Sequence, residues 1–260
     1  MIQKIRVAGA TEVLQHGSSW YEADIYLREK FIDNQCDAAD RKNIYVPPFE
    51  HEYIRAGAAG IVSEIANQLL PRENTTDGDF PADAIVCSVG GGGLFNGIVR
   101  GLDEFFQFPK PPNVIRNGPK DVYVITTETF GAHSLAYSLE HGSLQTLPAI
   151  TSQATSLGAL RVATKTFENA VSPPAGIQVR SVLGTDMEAA DGVVLLSDEH
   201  RLQVELACGI SVFVAGTLNT YNIVPDLTPD SRVVVVVCGG SNINAEMIAE
   251  YRQKLSTGWN

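Results

Sequence analysis

The sequence lacks the features that mark several large classes of protein. No apolar run approaches the roughly 20 residues of a membrane-spanning helix, and the run at 233–238 is typical of the longest ones. Basic residues form no block and the formal charge is −11, which argues against nucleic acid as a partner because such affinity rests on clustered lysine and arginine. The start, MIQKIR, has no secretory signal. We therefore expect no membrane or nucleic-acid partner and a cytoplasmic location.

Cysteine is also scarce, and histidine shows no metal-binding spacing. The four cysteines are widely separated without a C-x-x-C pair, and the five histidines form no H-E-x-x-H motif. Disulfides and a zinc site are therefore not expected. Hydrophobic residues make up 44% of the 260 residues, enough to bury the core of one large domain or of one domain with a smaller piece.

Short apolar runs alternate with stretches of helical periodicity along the chain. Apolar runs predict strands, and the periodic stretches predict helices. Strands that are apolar throughout and separated by helices are typical of a parallel sheet. The sequence therefore predicts an α/β fold, an open, mostly parallel twisted sheet with helices on both faces. The predicted strands are 11–14, 44–46, 84–89, 122–127, 178–182, 193–196 and 233–237; the predicted helices are 2–8, 20–30, 52–70, one opening at 94, 132–139, 154–167, 198–221 and 243–254.

The most informative feature is a run of four glycines, Gly90 to Gly93, between a predicted strand and a predicted helix. The main-chain N–H groups of this glycine loop, with the helix N-terminus behind them, predict an anion site. The loop fits neither the G-x-G-x-x-G fingerprint nor a Walker A loop, since Gly97 is followed by Ile98 rather than lysine. A phosphate monoester held by main-chain amides remains, as pyridoxal phosphate is in several enzyme classes. The alternative is a turn that only packs helix on sheet.

Four motifs carry a resemblance to a known family. They are SVGGGGLFNGIVRGL from Ser88, ETFGAHS from Glu128, TSQATSLGA from Thr151 and CGGSNI from Cys238. In this order they resemble the fold-type II pyridoxal-phosphate enzymes, with a tryptophan synthase β-like fold, and within them the serine/threonine dehydratases, the catabolic L-serine ammonia-lyases. The resemblance implies a lyase of amino-acid catabolism that acts on L-serine, and on L-threonine as a second substrate, by β-elimination. It also implies a homodimer, an incomplete small domain over residues 1–48 and a large cofactor-binding domain over residues 49–260.

The same resemblance implies the residues of the site. Cys238 would face the pyridine nitrogen, and Glu128 would belong to a site for a monovalent cation such as K⁺. From the residues alone, Cys238 could instead be a small core residue, and Glu128 could equally cap the helix that follows its strand. The implied cofactor-binding residues are Gly90, Gly91, Gly92, Gly93, Leu94, Cys238, Gly239 and Asn242. The implied cation ligands are Gly90, Glu128, Ala132, Ser134, Leu157 and Ala159.

One part of the family pattern is not found in this sequence. Family members carry a Ser-x-Lys-x-Arg segment, whose lysine forms the Schiff base, and a Ser-Ser-Gly-Asn loop that grips the substrate carboxylate. None of the seven lysines has that context, and Ser18-Ser19 is followed by Trp20. We therefore assign no catalytic residue and expect a truncated gene model, a fragment or a degenerate paralogue. Two hypotheses follow: an L-serine ammonia-lyase whose isolated chain is inactive, or a non-catalytic protein that keeps a pyridoxal-phosphate pocket or serves subunit interaction.

Overall fold

A computed structural model describes residues 2–34, 42–70, 79–107 and 121–259. The chain divides into two compact units, Met1–Pro47 and Pro48–Asn260. The first unit contains the helices α1 (Ile2–Val7) and α2 (Trp20–Leu27), and its interpretation as part of a small domain stays a prediction. Within the described ranges, no helix combines the length and the apolar character that crossing a bilayer requires.

The second unit is built on a parallel sheet. In its described part, four strands pair in the order β3-β2-β1-β4, and every pairing is parallel. β2 pairs with β3 along its whole length, from Val122 opposite Ile177 to Thr129 opposite Gly184. The predicted open parallel α/β sheet is therefore confirmed. The strands are β1 (Ala84–Ser88), β2 (Val122–Thr129), β3 (Ile177–Gly184) and β4 (Val233–Val235).

Helices cover both faces of this sheet. Their bounds are α3 (Glu52–Gln68), α4 (Gly93–Gln107), α5 (Ser134–Glu140), α6 (Thr164–Val171), α7 (Asp186–Leu195), α8 (Leu206–Thr217) and α9 (Ala245–Thr257). On β1, Ala84 and Val86 belong to a core cluster with α7, α8 and α9, whereas Ile85 and Cys87 belong to a cluster with α3 and α4. Successive strand residues point to opposite faces, which explains why a strand covered on both sides is apolar throughout.

Several predicted elements are wrong, each for a local reason. Residues 193–196 form the end of α7 and the start of a π-helical turn rather than a strand. A capping box between Thr185 and Glu188 starts this helix and overrides the strand propensity of its valines. Residues 154–167 form a 3₁₀ turn (Thr155–Leu157) and the start of α6 instead of one helix, and α8 begins at Leu206 rather than at 198. Residues 11–14 and 44–46 form no strand.

The sheet places three of the sequence motifs together. The glycine loop follows β1, Glu128 lies at the end of β2, and the 238–242 turn follows β4. Neighbouring parallel strands end at the same sheet edge, which is where ligands bind in folds of this kind. The carboxyl edge of the sheet is therefore the place to look for a site.

Candidate functional site

The glycine loop forms the turn from β1 into α4. Gly92 has a φ of +97°, a conformation that glycine adopts without steric cost. Among the described residues, none accepts a hydrogen bond from the N–H groups of Gly90 through Leu94, although Gly92 and Gly93 are buried. Buried main-chain donors without an acceptor are rare in proteins. These two buried donors, at the start of a 15-residue helix, are of the kind that suits an anion.

Side chains from elsewhere in the fold pack directly on this loop. A Cβ atom added to Gly91 would overlap the ring of Phe49, and one added to Gly92 would overlap the side chain of Thr166. Gly90 is less crowded, since an added Cβ would lie 3.4 Å from Cα of Leu157. Glycine is therefore required at positions 91 and 92 because of these close approaches. The packing role of the loop is therefore confirmed, and the anion site stays a prediction.

Cys238 begins the turn after β4 and is exposed, so it is not part of the core. The glycines that follow it, Gly239 and Gly240, have φ of +77° and +141°. Partial desolvation raises the pKa of the Cys238 thiol, and nearby Cys208 raises it further, while a hydrogen bond with Ser88 opposes both. The thiol is therefore neutral at neutral pH and can face a heteroaromatic nitrogen without adding charge.

Glu205, at the N-cap of α8, holds this turn in place. Its Oε1 atom accepts hydrogen bonds from the N–H groups of Ser241, at 2.6 Å, and Asn242, at 2.8 Å. Its other carboxylate oxygen accepts a hydrogen bond from the hydroxyl of Ser156. Glu205 thus connects the 238–242 turn with the 3₁₀ turn that packs on Gly90. Asn242, an implied cofactor residue, is held here through its main chain.

Glu128 is completely buried at the end of β2. Its two oxygens accept hydrogen bonds from the N–H groups of Leu135, at 2.9 Å, and Ala136, at 2.8 Å, in the first turn of α5. Burial raises the pKa of this carboxyl to about 8, against the opposing effect of the two hydrogen bonds. The helix-capping role is therefore confirmed.

The other implied cation ligands lie in several segments: between β2 and α5, at the start of α5, in and just after the 3₁₀ turn, and in the glycine loop. Ala132 is buried and bridges to Thr129. The hydroxyl of Ser134 is buried and has no hydrogen-bond partner within the described part of the chain. Leu157 packs against Gly90, and the N–H of Ala159 donates to the Leu157 carbonyl at 2.7 Å. The orphaned hydroxyl marks the neighbourhood of Glu128 as incompletely satisfied.

Comparison with known proteins gives one consistent result. The sequence profile of the family described as "Pyridoxal-phosphate dependent enzyme" matches residues 1–239. The L-serine dehydratase of Saccharomyces cerevisiae strain YJM789 is 35% identical over 259 residues, which cover 98% of this chain and 70% of that protein. This chain belongs to the family of pyridoxal-phosphate dependent enzymes.

Further relatives within the pyridoxal-phosphate family agree. A human protein named serine dehydratase-like is 34% identical over 258 residues, covering 98% of this chain and 68% of that protein. A fungal L-serine ammonia-lyase from Rhizomucor miehei has a structure that matches with a TM-score of 0.76 at 32% identity, over 98% of this chain and 70% of that one. The resemblance inferred from the four motifs is thereby confirmed.

The residues present fit the cofactor of the pyridoxal-phosphate family. Its phosphate ester is a compact anion, and the unpaired N–H groups of the glycine loop are donors suited to it. A lysine that could bind the cofactor covalently is not identified. Lys110 and Lys120 lie outside the described residues. Lys165, on α6, is half exposed, and its ammonium pairs with Glu168 at 3.4 Å. No lysine is assigned to the cofactor, because none has the sequence context of the family's Schiff-base lysine.

Sequence reasoning missed three residues that shape the site. Phe49 follows two prolines, and that turn was a usable signal for a fixed side chain. Thr166 and Glu205 gave no signal, because each acts on main chain that is distant in sequence: Thr166 on the glycine loop and Glu205 on the 238–242 turn.

Proposed function

We propose that this chain provides the cofactor-binding part of an L-serine ammonia-lyase, which converts L-serine to pyruvate and ammonia. The observation that carries the proposal is the row of unpaired N–H groups in the glycine loop. Proteins named for that activity align with 98% of this chain. A phosphate-bearing cofactor and an amino-acid substrate account for both.

The residues around the loop have distinct tasks in this proposal. The glycine loop and Leu94 hold the phosphate through main-chain N–H groups, and the start of α4 adds a partial positive charge. Cys238 presents a neutral thiol to the ring nitrogen, with Gly239 beside it. Glu205 fixes the amides of the turn that carries that thiol. The cofactor, when bound, withdraws electrons from the α-carbon of the amino acid and so eases loss of the β-hydroxyl.

The proposal includes a monovalent cation such as K⁺ beside Glu128. In the described part of the chain, no basic side chain pairs with this buried carboxyl, and the Ser134 hydroxyl close by in sequence has no partner. Oxygen ligands are what hard cations prefer. The remaining ligands would be Gly90, Ala132, Leu157 and Ala159, as the sequence resemblance implies.

The alternative is a non-catalytic protein that keeps the cofactor pocket or serves subunit interaction. A hybrid separates the two: the part of the yeast L-serine dehydratase that this chain does not cover, joined to this chain. We expect the hybrid to form pyruvate from L-serine and the chain alone to form none. A hybrid that binds the cofactor but forms no pyruvate would favour the non-catalytic protein. The yeast part is expected to supply the Schiff-base lysine segment and the carboxylate-binding loop, so their lack could not explain the inactivity.

The isolated chain allows a second, independent test. The chain is incubated with pyridoxal phosphate, treated with borohydride, and digested for mass spectrometry. Borohydride fixes the cofactor to any lysine amine that has condensed with its aldehyde. We expect no specifically labelled lysine, and a single labelled lysine together with turnover of L-serine would contradict the expectation of an inactive isolated chain. Turnover of L-threonine, a homodimer, a cytoplasmic location and an incomplete small domain stay predictions.

A further inference from the structure

A buried chain of hydrogen bonds runs from α6 to α4, returns to α6 and ends at the glycine loop. Asn169 Nδ2 donates to Asn96 Oδ1 at 3.0 Å, and Asn96 Nδ2 donates to Thr166 Oγ1 at 2.9 Å. The Thr166 hydroxyl then donates to the carbonyl oxygen of Gly91 at 3.1 Å. All three side chains are at most 5% exposed. Each step donates in the same direction, so the chain ends on a single acceptor in the loop.

The orientation of one peptide group follows from that acceptor. The Gly91 carbonyl also receives the N–H of Ala163, at 3.0 Å, and so points toward α6. In a trans peptide the C=O and the N–H of the next residue point in opposite directions. The N–H of Gly92, which belongs to the same peptide, therefore points away from α6. That N–H is one of the buried donors without an acceptor in the described structure.

One effect strengthens this donor, and a second keeps the loop in the conformation that presents it. Hydrogen bonds to a peptide carbonyl polarise the peptide and make its N–H a better donor, and a chain of bonds adds to the polarisation. The side chain of Thr166 also fills the space that a Cβ at position 92 would need, which fits the φ of +97° at Gly92. The loop is thus held ready for an anion before one binds, which lowers the cost of binding.

We propose that Thr166, supported by Asn96 and Asn169, is a positioning residue that aims the Gly92 N–H at the cofactor phosphate and thereby sets the affinity for phosphate-bearing ligands. The inference rests on the proposed function, because it takes the phosphate of pyridoxal phosphate as the anion. It adds Thr166 and Asn169, which lie outside the four sequence motifs, and gives a task to Asn96, which lies within the first of them.

The test compares two ligands that differ only in the phosphate, pyridoxamine 5′-phosphate and pyridoxamine. Neither carries an aldehyde, so their binding needs no lysine. Dissociation constants are measured by titration calorimetry for the full chain and for T166V, T166S and T127V. Thr127 is the matched control, because it is also completely buried and its hydroxyl bonds to Ser211 at 2.8 Å and to the carbonyl oxygen of Cys87 at 3.4 Å, on β1 rather than on the glycine loop.

We expect the wild-type chain to favour the phosphorylated ligand and T166V to lose about tenfold of that preference, the size typical of one buried hydrogen bond. T166S should keep the preference for the phosphorylated ligand. T127V should lower thermal stability but leave that preference unchanged. A folded T166V with the wild-type preference would overturn the inference. If T166V does not fold, T166A removes the same hydroxyl without adding bulk and carries the same expectation. A wild-type chain that binds both ligands equally would instead overturn the proposed phosphate site itself.

Discussion

Replacing Glu128 by glutamine tests whether this carboxyl is a strained, titrating group. Both oxygens of Glu128 are buried against the first turn of α5, and no basic side chain of the described residues pairs with them. Burial raises the pKa from 4.5 to about 8. Between these two pH values the folded chain keeps a proton that the unfolded chain releases. The free energy of unfolding should therefore fall as pH rises through this window and level off above about pH 8.

The size of this effect follows from the shift. A rise from 4.5 to about 8, at ~1.4 kcal/mol per pH unit, corresponds to roughly 5 kcal/mol at most. E128Q cannot titrate and should show no such fall from this site. It loses one of the two hydrogen bonds to α5, because an amide presents only one oxygen, so at low pH it should be about 1 kcal/mol less stable than the wild type.

The assay is urea unfolding of both proteins from about pH 5 to about pH 8.5, in a buffer with tetramethylammonium as the only cation. The difference between the two curves isolates Glu128 from the other titrating groups. Adding potassium chloride at the upper pH should restabilise the wild type but not E128Q, since a bound cation favours the ionised carboxyl. Parallel curves for the two proteins would refute the reasoning about burial, and an equal response to potassium would refute the cation site.

Three further predictions concern the loops of the site. G91A should lower thermal stability and weaken pyridoxamine 5′-phosphate binding, because its methyl group would overlap Phe49. The control G57A, whose methyl group meets no atom within 4 Å, should change neither property. Differential scanning fluorimetry measures the stability and calorimetry the binding. E205A should speed amide hydrogen exchange of the 238–242 turn, while E205Q, which keeps an acceptor, should retain most of the protection. Among the described cysteines, only Cys238 should react with iodoacetamide at neutral pH, and slowly, since its raised pKa keeps it protonated; peptide mass spectrometry would contradict this by finding Cys87 or Cys208 labelled first.

The parts of the fold that were predictable are those with a local signal. The strand β1 is apolar at almost every position, and the four glycines after it mark a turn that needs close main-chain approach. The order of strand, loop and helix then fixes the sheet edge at which ligands bind. Local signals also misled, as at Val193, where a helix cap eight residues earlier decides the conformation.

The rest depended on contacts between distant segments. Thr166 reaches a carbonyl 75 residues earlier in the chain, and Glu205 holds amides 36 and 37 residues later. A threonine on a helix or a glutamate at a helix start is common, and only the packing of α6 and α8 gives these two a task. Likewise, Glu128 caps α5 through two hydrogen bonds, and its complete burial raises its pKa.

A crystal structure of the chain grown with pyridoxal phosphate tests the central claim most directly. The account predicts phosphate oxygens at about 2.7–3.2 Å from the main-chain nitrogens of the glycine loop, with the pyridine ring toward Cys238. Density for the cofactor elsewhere, or a glycine loop that holds no phosphate at saturating cofactor, would contradict it.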